Sequence, residues 1–313
     1  MRIGFLGKGG SGKTTIAAGF IKYLAAKGLK PILAIDADVN VHLATTLALP
    51  NPAHPIGHDF SAVAEYVRGS RTDLKNTSIV ATTPPSLASR FIRLTENDPF
   101  LSRYASKNGS VCLLTIGTYR SCDVGHTCYH GKLNTLELIY HHLLDTDSDM
   151  VVADATAGID NLGTSLFFAY DLNVFVVEPT RKSIDVFLEF ERVSHSYGLN
   201  TRVVINKTED DADIKFIKQH IPEEKIIAIV PRSKAIRHLE QGNKQALELF
   251  VLENKTTFEA IRKTATSSAK DWEHYYKLLL ETHKKNSIEW WDAYYGQPIS
   301  TQFDPDFSYS KVL

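Results

Sequence analysis

Short apolar runs recur along roughly the first 245 residues, separated by more polar stretches. The runs are rich in valine, isoleucine and leucine, with no alternation of apolar and polar positions: Arg2–Leu6, Pro31–Asp36, Val111–Thr115, Met150–Asp154, Leu172–Glu178, Arg202–Asn206 and Lys225–Val230. Continuous apolar runs of this length are typical of parallel strands covered on both faces. We therefore predict an α/β fold built on a doubly wound, mostly parallel sheet.

Segments with helical spacing lie between these runs. We predict helices over Thr14–Lys27, Leu133–Leu144 and Ser183–His195, and apolar residues of the third can share one face. Gly28 follows the first helix, at the position where glycine commonly ends one. Ligands of a doubly wound sheet bind at the carboxyl ends of its strands, so the loops there are the expected place for chemistry.

The pattern changes near residue 245, where we place a domain boundary between 1–245 and a C-terminal extension, 246–313. Six apolar positions of the extension fit one long amphipathic helix: Phe258, Ile261, Ala265, Trp272, Tyr275 and Leu279. An aromatic stretch, Trp290–Tyr295, and a proline-containing tail follow. We expect this extension to pack on the sheet domain or on a partner subunit. A membrane-surface anchor is the alternative, although the aromatic stretch lacks a strong basic face.

The loop after the first strand carries the most specific motif. Residues 7–14 read Gly-Lys-Gly-Gly-Ser-Gly-Lys-Thr and fit the phosphate-binding pattern G-x-x-x-x-G-K-[ST]. A strand, a glycine-rich loop and a helix in this order turn backbone N–H groups towards one point, where the helix N-terminus adds positive potential. We predict that this loop holds ATP and Mg²⁺; a glycine-rich turn without a ligand is the alternative. The residues expected around the phosphates and the ion are Gly7, Gly9, Gly10, Ser11, Gly12, Lys13, Thr14 and Thr15.

Individual side chains of the loop have distinct expected tasks. Lys13 would contact the β- and γ-phosphates, and Thr14 would offer its hydroxyl to Mg²⁺. Lys8 stands too early in the loop to reach the γ-phosphate of its own nucleotide, and it is well placed to touch a nucleotide held by a second protomer. A solvated surface lysine is the other interpretation of Lys8.

With Lys8, the loop resembles that of the deviant Walker A ATPases, which include the Min and Par ATPases and the nitrogenase iron protein. Their pattern K-G-G-x-G-K-T is matched at every defined position by residues 8–14. The resemblance covers about residues 1–245 and implies a P-loop fold and a homodimer that encloses ATP, with Lys8 acting in trans as a catalytic residue beside Lys13.

Two aspartates follow the second strand. A carboxylate at a strand end beside the phosphate loop can orient water or hold the shell of a metal ion. The resemblance assigns the positioning of the attacking water to Asp38, and Asp36 would then support the hydration shell of Mg²⁺. One of the pair could instead cap the following helix, which is a common use of aspartate, and this alternative applies to Asp38 too.

Three further strand ends complete the expected nucleotide site. Asp154 ends an apolar run, as an aspartate does that reaches Mg²⁺ through water, and Gly158 lies in a segment that resembles switch II of the same family. Asn206 can exchange hydrogen bonds with the adenine edge, together with its neighbour Lys207. The segment Pro231–Ser233 lies near the base in the resembled family.

The segment Ser121–Gly131 concentrates two cysteines and two histidines. Thiolate and imidazole suit Zn²⁺ and also Ni²⁺, so Cys122, His126, Cys128 and His130 are candidate ligands. Packing of the cysteines, a redox disulfide, or a cluster shared by two protomers are the alternatives. Cys112 lies inside a predicted strand and is expected to pack there.

The stretch from Leu113 to Glu178 resembles the nickel-insertion ATPases that serve carbon monoxide dehydrogenase. Their C-x-C motif, through which two protomers pool cysteines around one metal, corresponds here to residues 128–130, which read Cys-Tyr-His. The resemblance implies a shared Zn²⁺ or Ni²⁺ at the dimer interface and a client metalloenzyme. The replacement of the second cysteine by His130 leaves the identity of both the metal and the client open.

Composition limits the functional classes to which the protein can belong. The chain has 313 residues, a net charge of −1 and three cysteines. A near-neutral chain gives no strong nucleic-acid signal, no apolar run is long enough to span a bilayer, and the first residues lack the order of a signal peptide. We predict a cytoplasmic, Mg²⁺-dependent ATP hydrolase that forms a homodimer and matures a metalloenzyme. The alternatives are a Min- or Par-like spatial organiser that binds membrane or DNA, and an iron–sulfur reductase.

Overall fold

The computed structural model describes residues 1–29, 31–74, 78–125, 129–267 and 269–313. The strands in this part of the chain are β1 Arg2–Leu6, β2 Ile32–Asp36, β3 Ile92–Arg93, β4 Ser106–Asn108, β5 Val111–Thr115, β6 Leu143–Leu144, β7 Met150–Asp154, β8 Leu172–Val177, β9 Thr201–Thr208 and β10 Ile226–Pro231. The helices are α1 Lys13–Ala26, α2 Leu43–Leu47, α3 Phe60–Arg68, α4 Pro99–Tyr104, α5 Tyr129–His142, α6 Leu166–Ala169, α7 Arg181–Ser194, α8 Asp211–Lys218, α9 Lys234–Glu240, α10 Ala246–Glu253, α11 Lys255–Ala265, α12 Trp272–Asn286 and α13 Asp292–Tyr295.

Eight of these strands form the central sheet, in the order β10-β9-β8-β1-β7-β2-β5-β4. All neighbours are parallel except β4, which runs antiparallel to β5 at the edge. The predicted mostly parallel α/β sheet is therefore confirmed. Because β1, β7 and β2 are adjacent, the loops that follow them meet at one edge, and Asp154 pairs in register with both Phe5 and Asp36.

Two apolar layers cover the sheet, one on each face. Alternate residues of one strand enter different layers: Ile3 and Phe5 lie in the layer of α1, α10 and α11, whereas Leu6 lies in the layer of α3, α5, α7 and α12. Both faces are thus buried, which explains why the sequence shows continuous apolar runs without a period of two.

The helix predicted over Leu133–Leu144 is shifted in the structure. It begins at Tyr129 and ends at His142, and its last two predicted residues form β6, which pairs with β3. This two-stranded sheet, the edge strand β4, and the helices between β2 and β5 were not predicted, because their runs are too short to show a period.

The single long helix predicted in the extension is wrong. The chain forms α11 and α12 instead, and the Asp271 side chain starts the second by accepting the N–H of His274 at 2.8 Å. The break has a tertiary cause: Phe258 and Ile261 pack in the layer of α1, whereas Tyr275 and Leu279 pack in the opposite layer. The chain must therefore turn between them. The domain boundary at 245 stays a prediction.

A buried ionic cluster joins β1 to the extension. The Arg2 guanidinium is fully buried and donates to Asp145 at 2.8 Å and to the Leu143 carbonyl at 2.7 Å. Lys270, also buried, donates to the same carboxylate at 3.1 Å, and the Trp272 ring lies 5.2 Å from the Arg2 guanidinium carbon. Asp145 thus neutralises one cation from β1, Arg2, and one from the extension, Lys270.

None of the helices in the described ranges has both the length and the apolar character that a membrane span needs.

Candidate nucleotide-binding site

Glycines shape the loop between β1 and α1. Gly7, Gly10 and Gly12 have φ values of 142°, 81° and 97°, which side chains rarely adopt. A Cβ on Gly7 would lie 2.4 Å from the Val176 carbonyl oxygen, and one on Gly12 would lie 2.3 Å from Asn206 Nδ2. The loop therefore needs glycine both for its backbone angles and for its close approach to β8 and β9.

Lys13 begins α1 beneath a cavity of about 1060 Å³. Its side chain is only 5% exposed, and burial lowers the pKa of its ammonium group, although Asp154 and Asp38 oppose that shift. Gly9, Gly10, Gly12, Thr14 and Thr15 line the same cavity. A partly desolvated ammonium group beside a helix N-terminus gains strongly from an anionic ligand, so the cavity suits a phosphate chain.

Asp154 lies at the floor of this site. Its Oδ2 accepts the Thr14 hydroxyl at 2.6 Å, and its buried Oδ1 has no hydrogen-bond partner among the described residues. Burial, followed by repulsion from Asp36, raises the pKa of Asp154 to about 8. A carboxylate oxygen with no partner, beside a threonine hydroxyl, fits the oxygen-rich surroundings of Mg²⁺. Thr14 and Asp154 are thus the residues that would hold the ion and its waters.

The two aspartates after β2 have different surroundings. Asp36 is fully buried, and its oxygens accept the N–H groups of Leu43 at 2.8 Å and Asp38 at 3.3 Å. Burial raises the pKa of Asp36 to about 7. Asp38 is half-buried, lines the cavity, and accepts the Asn40 N–H at 3.0 Å.

The helix-capping alternative for Asp38 is wrong, because Leu43 begins α2 and its N–H goes to Asp36. The geometry leaves Asp38 at the cavity wall, where a role in positioning water is chemically open to it.

The segment after Asp154 contacts the phosphate loop directly. The Gly158 N–H donates to the Gly7 carbonyl at 3.0 Å, with Gly158 at a φ of 80°. Ala157 lines the cavity beside Gly9. Residues 157 and 158 therefore contact the phosphate loop directly, so a movement of that loop displaces them.

Asn206 and Lys207, at the end of β9, hold the loop from the other side. Asn206 Nδ2 donates to the Ser11 carbonyl at 2.8 Å. Lys207 has a φ of 64°, and its ammonium group donates to the Gly10 carbonyl and, at 2.8 Å, to Glu178. Both residues line the cavity, but the loop contacts and the role of Glu178 were not predicted, since they depend on the order of β8 and β9.

The far end of the cavity follows β10. Pro231 and Arg232 line it, and their predicted nearness to the base stays a prediction; two further cations that were not predicted, Lys234 and Arg237, line it as well. Arg232 pairs with Glu209 at 3.2 Å. The sequence shows polar residues directly after β10, but it does not show which of their side chains line the cavity.

Lys8 lies at the rim of the loop. Its side chain is half-buried, and its ammonium group donates to the Gly9 carbonyl at 3.1 Å. This contact is local to the loop, so the predicted action on a second protomer stays a prediction.

Of the four candidate metal ligands, the structure describes Cys122 and His130. Cys122 is exposed on a short turn and His130 is exposed in the first turn of α5. Among the described residues, no group of three or more histidine, cysteine, aspartate and glutamate side chains could hold an ion. Cys128 and His126 lie outside those residues. Cys112 is half-buried in β5, in keeping with packing.

Fold and loop together define a phosphate-loop nucleotide-binding protein. More specifically, the chain belongs to the CobQ/CobB/MinD/ParA nucleotide-binding domain family, whose model matches residues 5–246. The predicted resemblance to this group of ATPases is thereby confirmed.

Similar proteins and structures agree with this membership. The carbon monoxide dehydrogenase accessory protein CooC of Rhodospirillum rubrum is 26% identical over 80% of this chain and 90% of its own. An uncharacterized ATP-binding protein of Methanocaldococcus jannaschii is 27% identical over 75% of this chain and 87% of its own.

Among solved structures, a ParA family ATPase from Chlorobium tepidum TLS superposes with a TM-score of 0.56 and 14% identity, covering 84% of this chain and 98% of that one. The MinC:MinD complex of Aquifex aeolicus gives a TM-score of 0.51 at 19% identity, over 86% and 97%. At these identities the likeness shows the fold alone.

Proposed function

We propose that the protein is a Mg²⁺-dependent ATP hydrolase whose two subunits close around ATP. The observation that carries this proposal is the buried Lys13 beneath a cavity large enough for a nucleotide, with the unpartnered Asp154 oxygen and the Thr14 hydroxyl beside it. Bound Mg²⁺ would supply charge neutralisation at the phosphates.

The residues would divide the work as follows. Lys13 and the loop N–H groups bind the β- and γ-phosphates, and Thr14 and Asp154 hold the ion and its waters. Asp38, at the cavity wall, orients the attacking water. Asn206, Lys207 and Pro231 support the loop and the base.

Substitution of Lys13 by alanine tests the nucleotide site. We expect Lys13→Ala to abolish ATP binding and turnover, because it removes a buried cation aimed at the phosphates. The control is Lys27→Ala, which removes an exposed lysine just past the other end of α1 and leaves turnover unchanged. Equilibrium binding of ATP and release of phosphate are measured for both variants. Normal turnover in Lys13→Ala would contradict the assignment of residues 7–14 as the phosphate-binding loop.

Substitution of Lys8 tests the dimer separately. We propose that Lys8 reaches the partner's nucleotide, so Lys8→Ala should bind ATP as a folded monomer while the unmodified chain dimerises with ATP. Sedimentation with and without ATP distinguishes the two, and an unchanged profile would assign Lys8 to its own loop alone.

We further propose that the dimer matures a metalloenzyme, with Ni²⁺ or Zn²⁺ as cargo held between subunits and a client enzyme as its recipient. Similarity to the accessory protein CooC supports this proposal, as do the cysteine and histidine residues of the segment Ser121–Gly131. Cys128 and His130 would be the primary ligands, with Cys122 or His126 completing the set from either subunit.

Metal content of anaerobically purified protein, with and without ATP, tests the cargo. We expect about one ion per dimer, lost in Cys128→Ser and retained in Cys112→Ala, whose cysteine lies in β5. Absence of metal in every state would contradict the proposal and favour a spatial organiser that binds membrane or DNA. Iron with sulfide would instead indicate a reductase.

A further inference from the structure

The end of the C-terminal extension exposes large apolar side chains. Ile288, Trp290 and Tyr294 are 58%, 70% and 75% exposed, although they lie close together in the chain. Single exposed apolar residues are common on protein surfaces, whereas a cluster of them marks a surface that another molecule covers. None of the three lines the nucleotide cavity.

These side chains continue a helical face that is buried further back. α12 runs through a π-helical turn, Ser287–Trp291, into α13. The buried positions of the helix recur every four residues: Tyr275, Leu279, His283 and Ser287. Spacings of three and four residues then lead from Ser287 to Trp290 and Tyr294. The apolar face of the helix therefore extends past the part of the protein that covers it.

The exposed rings rest on an ordered support. The Tyr294 ring lies 4.9 Å from the Tyr295 ring and 6.0 Å from the Trp291 ring, measured between centroids, and these two neighbours are half-buried. The Asp292 carboxylate accepts the Ser300 N–H at 3.1 Å and the Ser300 hydroxyl at 2.8 Å, which joins α13 to the turn that follows. A surface whose rings are already fixed loses little conformational entropy when it binds a partner.

The charge around the rings has one sign. No lysine, arginine or histidine occurs between positions 286 and 310, and this stretch contains four carboxylates: Glu289, Asp292, Asp304 and Asp306. Asp292 and Asp304 accept neutral donors, from Ser300 and from the Leu87 N–H at 3.0 Å. Lys311, the next cation along the chain, donates to the Asp306 carbonyl. The negative charge of the stretch is therefore available to a partner.

This combination of rings and carboxylates selects among possible occupants. An anionic membrane surface attracts aromatic helices that carry lysine and arginine, and it would repel this one. A second copy bound through a two-fold axis would place the same surface against itself, acid against acid. A basic segment avoids both conflicts, because guanidinium and ammonium groups stack on tryptophan and tyrosine rings and pair with carboxylates.

We propose that the surface formed by Ile288, Trp290 and Tyr294, with Glu289 among them, is a docking site for a basic segment of a partner protein. Arginine and lysine side chains of that segment stack on the two exposed rings, and the carboxylates of residues 286–310 attract it. The site lies on the extension and does not depend on the proposed ATP site.

A fluorescein-labelled nona-arginine peptide is the probe for this surface. Its anisotropy measures binding to the full chain, and we expect tighter binding than for nona-lysine, since guanidinium stacks better on aromatic rings. Trp290→Ala combined with Tyr294→Ala should weaken nona-arginine binding about tenfold or more. Glu289→Gln combined with Asp306→Asn, both at exposed positions, should weaken it several-fold and reduce its dependence on salt.

Leu252→Ala combined with Glu248→Gln is the matched control. It removes an apolar side chain that is 72% exposed and a nearby exposed carboxylate from α10, so it makes the same kinds of change on another surface. This variant should keep the affinity of the unmodified chain. Equal affinities in all variants would show unspecific attraction between opposite charges and would overturn the proposal, as would no binding of nona-arginine.

The other occupants are tested on the same proteins. Sedimentation of the chain alone detects a second copy, and flotation with phosphatidylcholine–phosphatidylglycerol vesicles detects a membrane. Self-association or vesicle binding that the Trp290 and Tyr294 substitutions abolish would overturn the proposal. Thermal melting checks that the variants fold. If the ring variant does not fold, the charge variant decides, and an unchanged affinity in Glu289→Gln with Asp306→Asn overturns the proposal.

Discussion

At the scale of single residues, the phosphate loop was predictable because its constraints are local. Glycine at positions 7, 10 and 12 follows from backbone angles that the motif demands, and Lys13 and Thr14 occupy the expected places. Contacts from distant strands were not predictable, such as that of the Asn206 amide with the Ser11 carbonyl. The sequence shows which residues end strands, and the strand order decides which of those ends meet.

Gly12 offers a test at this scale. We expect Gly12→Ala to weaken ATP binding at least tenfold, because the new Cβ combines a strained φ with a clash against Asn206 Nδ2. Gly28→Ala is the control: it has a similar φ of 74° and no neighbouring atom within 4 Å, so it costs about 1 kcal/mol of stability without loss of binding. Nucleotide titration and thermal melting separate the effects, and equal losses of affinity in both variants would show that backbone strain alone matters.

At the scale of elements, the apolar runs predicted the central strands closely, since both faces of the sheet are buried. The extension was predicted less well: its apolar positions fit one helix, yet α11 and α12 lie on opposite faces of the sheet. The helical period of apolar residues shows that one face of a helix is buried. It does not show against which side of the sheet that face packs. The same limit applies to the start of α5, where Tyr129 faces a loop from β2.

Lys207 provides a test of how β9 supports the phosphate loop. Removal of its ammonium group should raise the KM for ATP about tenfold with a smaller effect on kcat, because charge-assisted contacts to Gly10 and Glu178 are lost. Lys207→Met is the variant, and Lys218→Met, with its ammonium group paired to Glu223 on the surface, is the control. Steady-state kinetics measure both, and an unchanged KM would mean that the loop holds its shape without β9.

At the scale of the whole molecule, a buried polar chain links α5 to the extension. Glu137 on α5 accepts the Ser165 hydroxyl at 2.6 Å, and the same hydroxyl lies 3.1 Å from His141, whose Nδ1 meets the Tyr275 hydroxyl at 2.7 Å. The chain thus joins α5, the start of α6 and α12. No period or motif in the sequence indicates it, because its members are scattered polar residues inside apolar helices.

This buried chain gives the stability of the fold a specific pH dependence. Burial raises the pKa of Glu137 to about 7, above its ordinary value of 4.5, so the folded state holds a proton that the unfolded state releases. Its contribution is fully present below pH 4.5 and is lost as the pH rises to about 7. Buried His142 and His283 act in the opposite sense: burial lowers their pKa values to about 4, so their contribution is lost as the pH falls from about 6.5.

Replacement of Glu137 isolates its part of this balance. Glu137→Gln keeps an acceptor for Ser165 and cannot titrate, so between pH 7 and 5 the variant should lose stability more steeply with acid than the unmodified chain. The difference in slope is expected to approach about 1.4 kcal/mol per pH unit. Urea unfolding at several pH values measures it, with the exposed Glu224→Gln as control. Parallel slopes would show that Glu137 ionises freely in the folded protein.

The ionic cluster around Arg2 affects how the protein unfolds. Arg2 stands on the strand that leads into the phosphate loop, and its counter-charge Asp145 is shared with Lys270 from the segment before α12. Removal of the extension would leave Arg2 and Asp145 with one fewer cation and without the Trp272 ring above them, at the root of β1. A buried charged group that loses part of its neutralising and packing partners is destabilising. We therefore expect the sheet and the extension to melt as one cooperative unit, and a protease cut between α11 and α12 to abolish nucleotide binding, which calorimetry and nucleotide titration of the cut chain would measure.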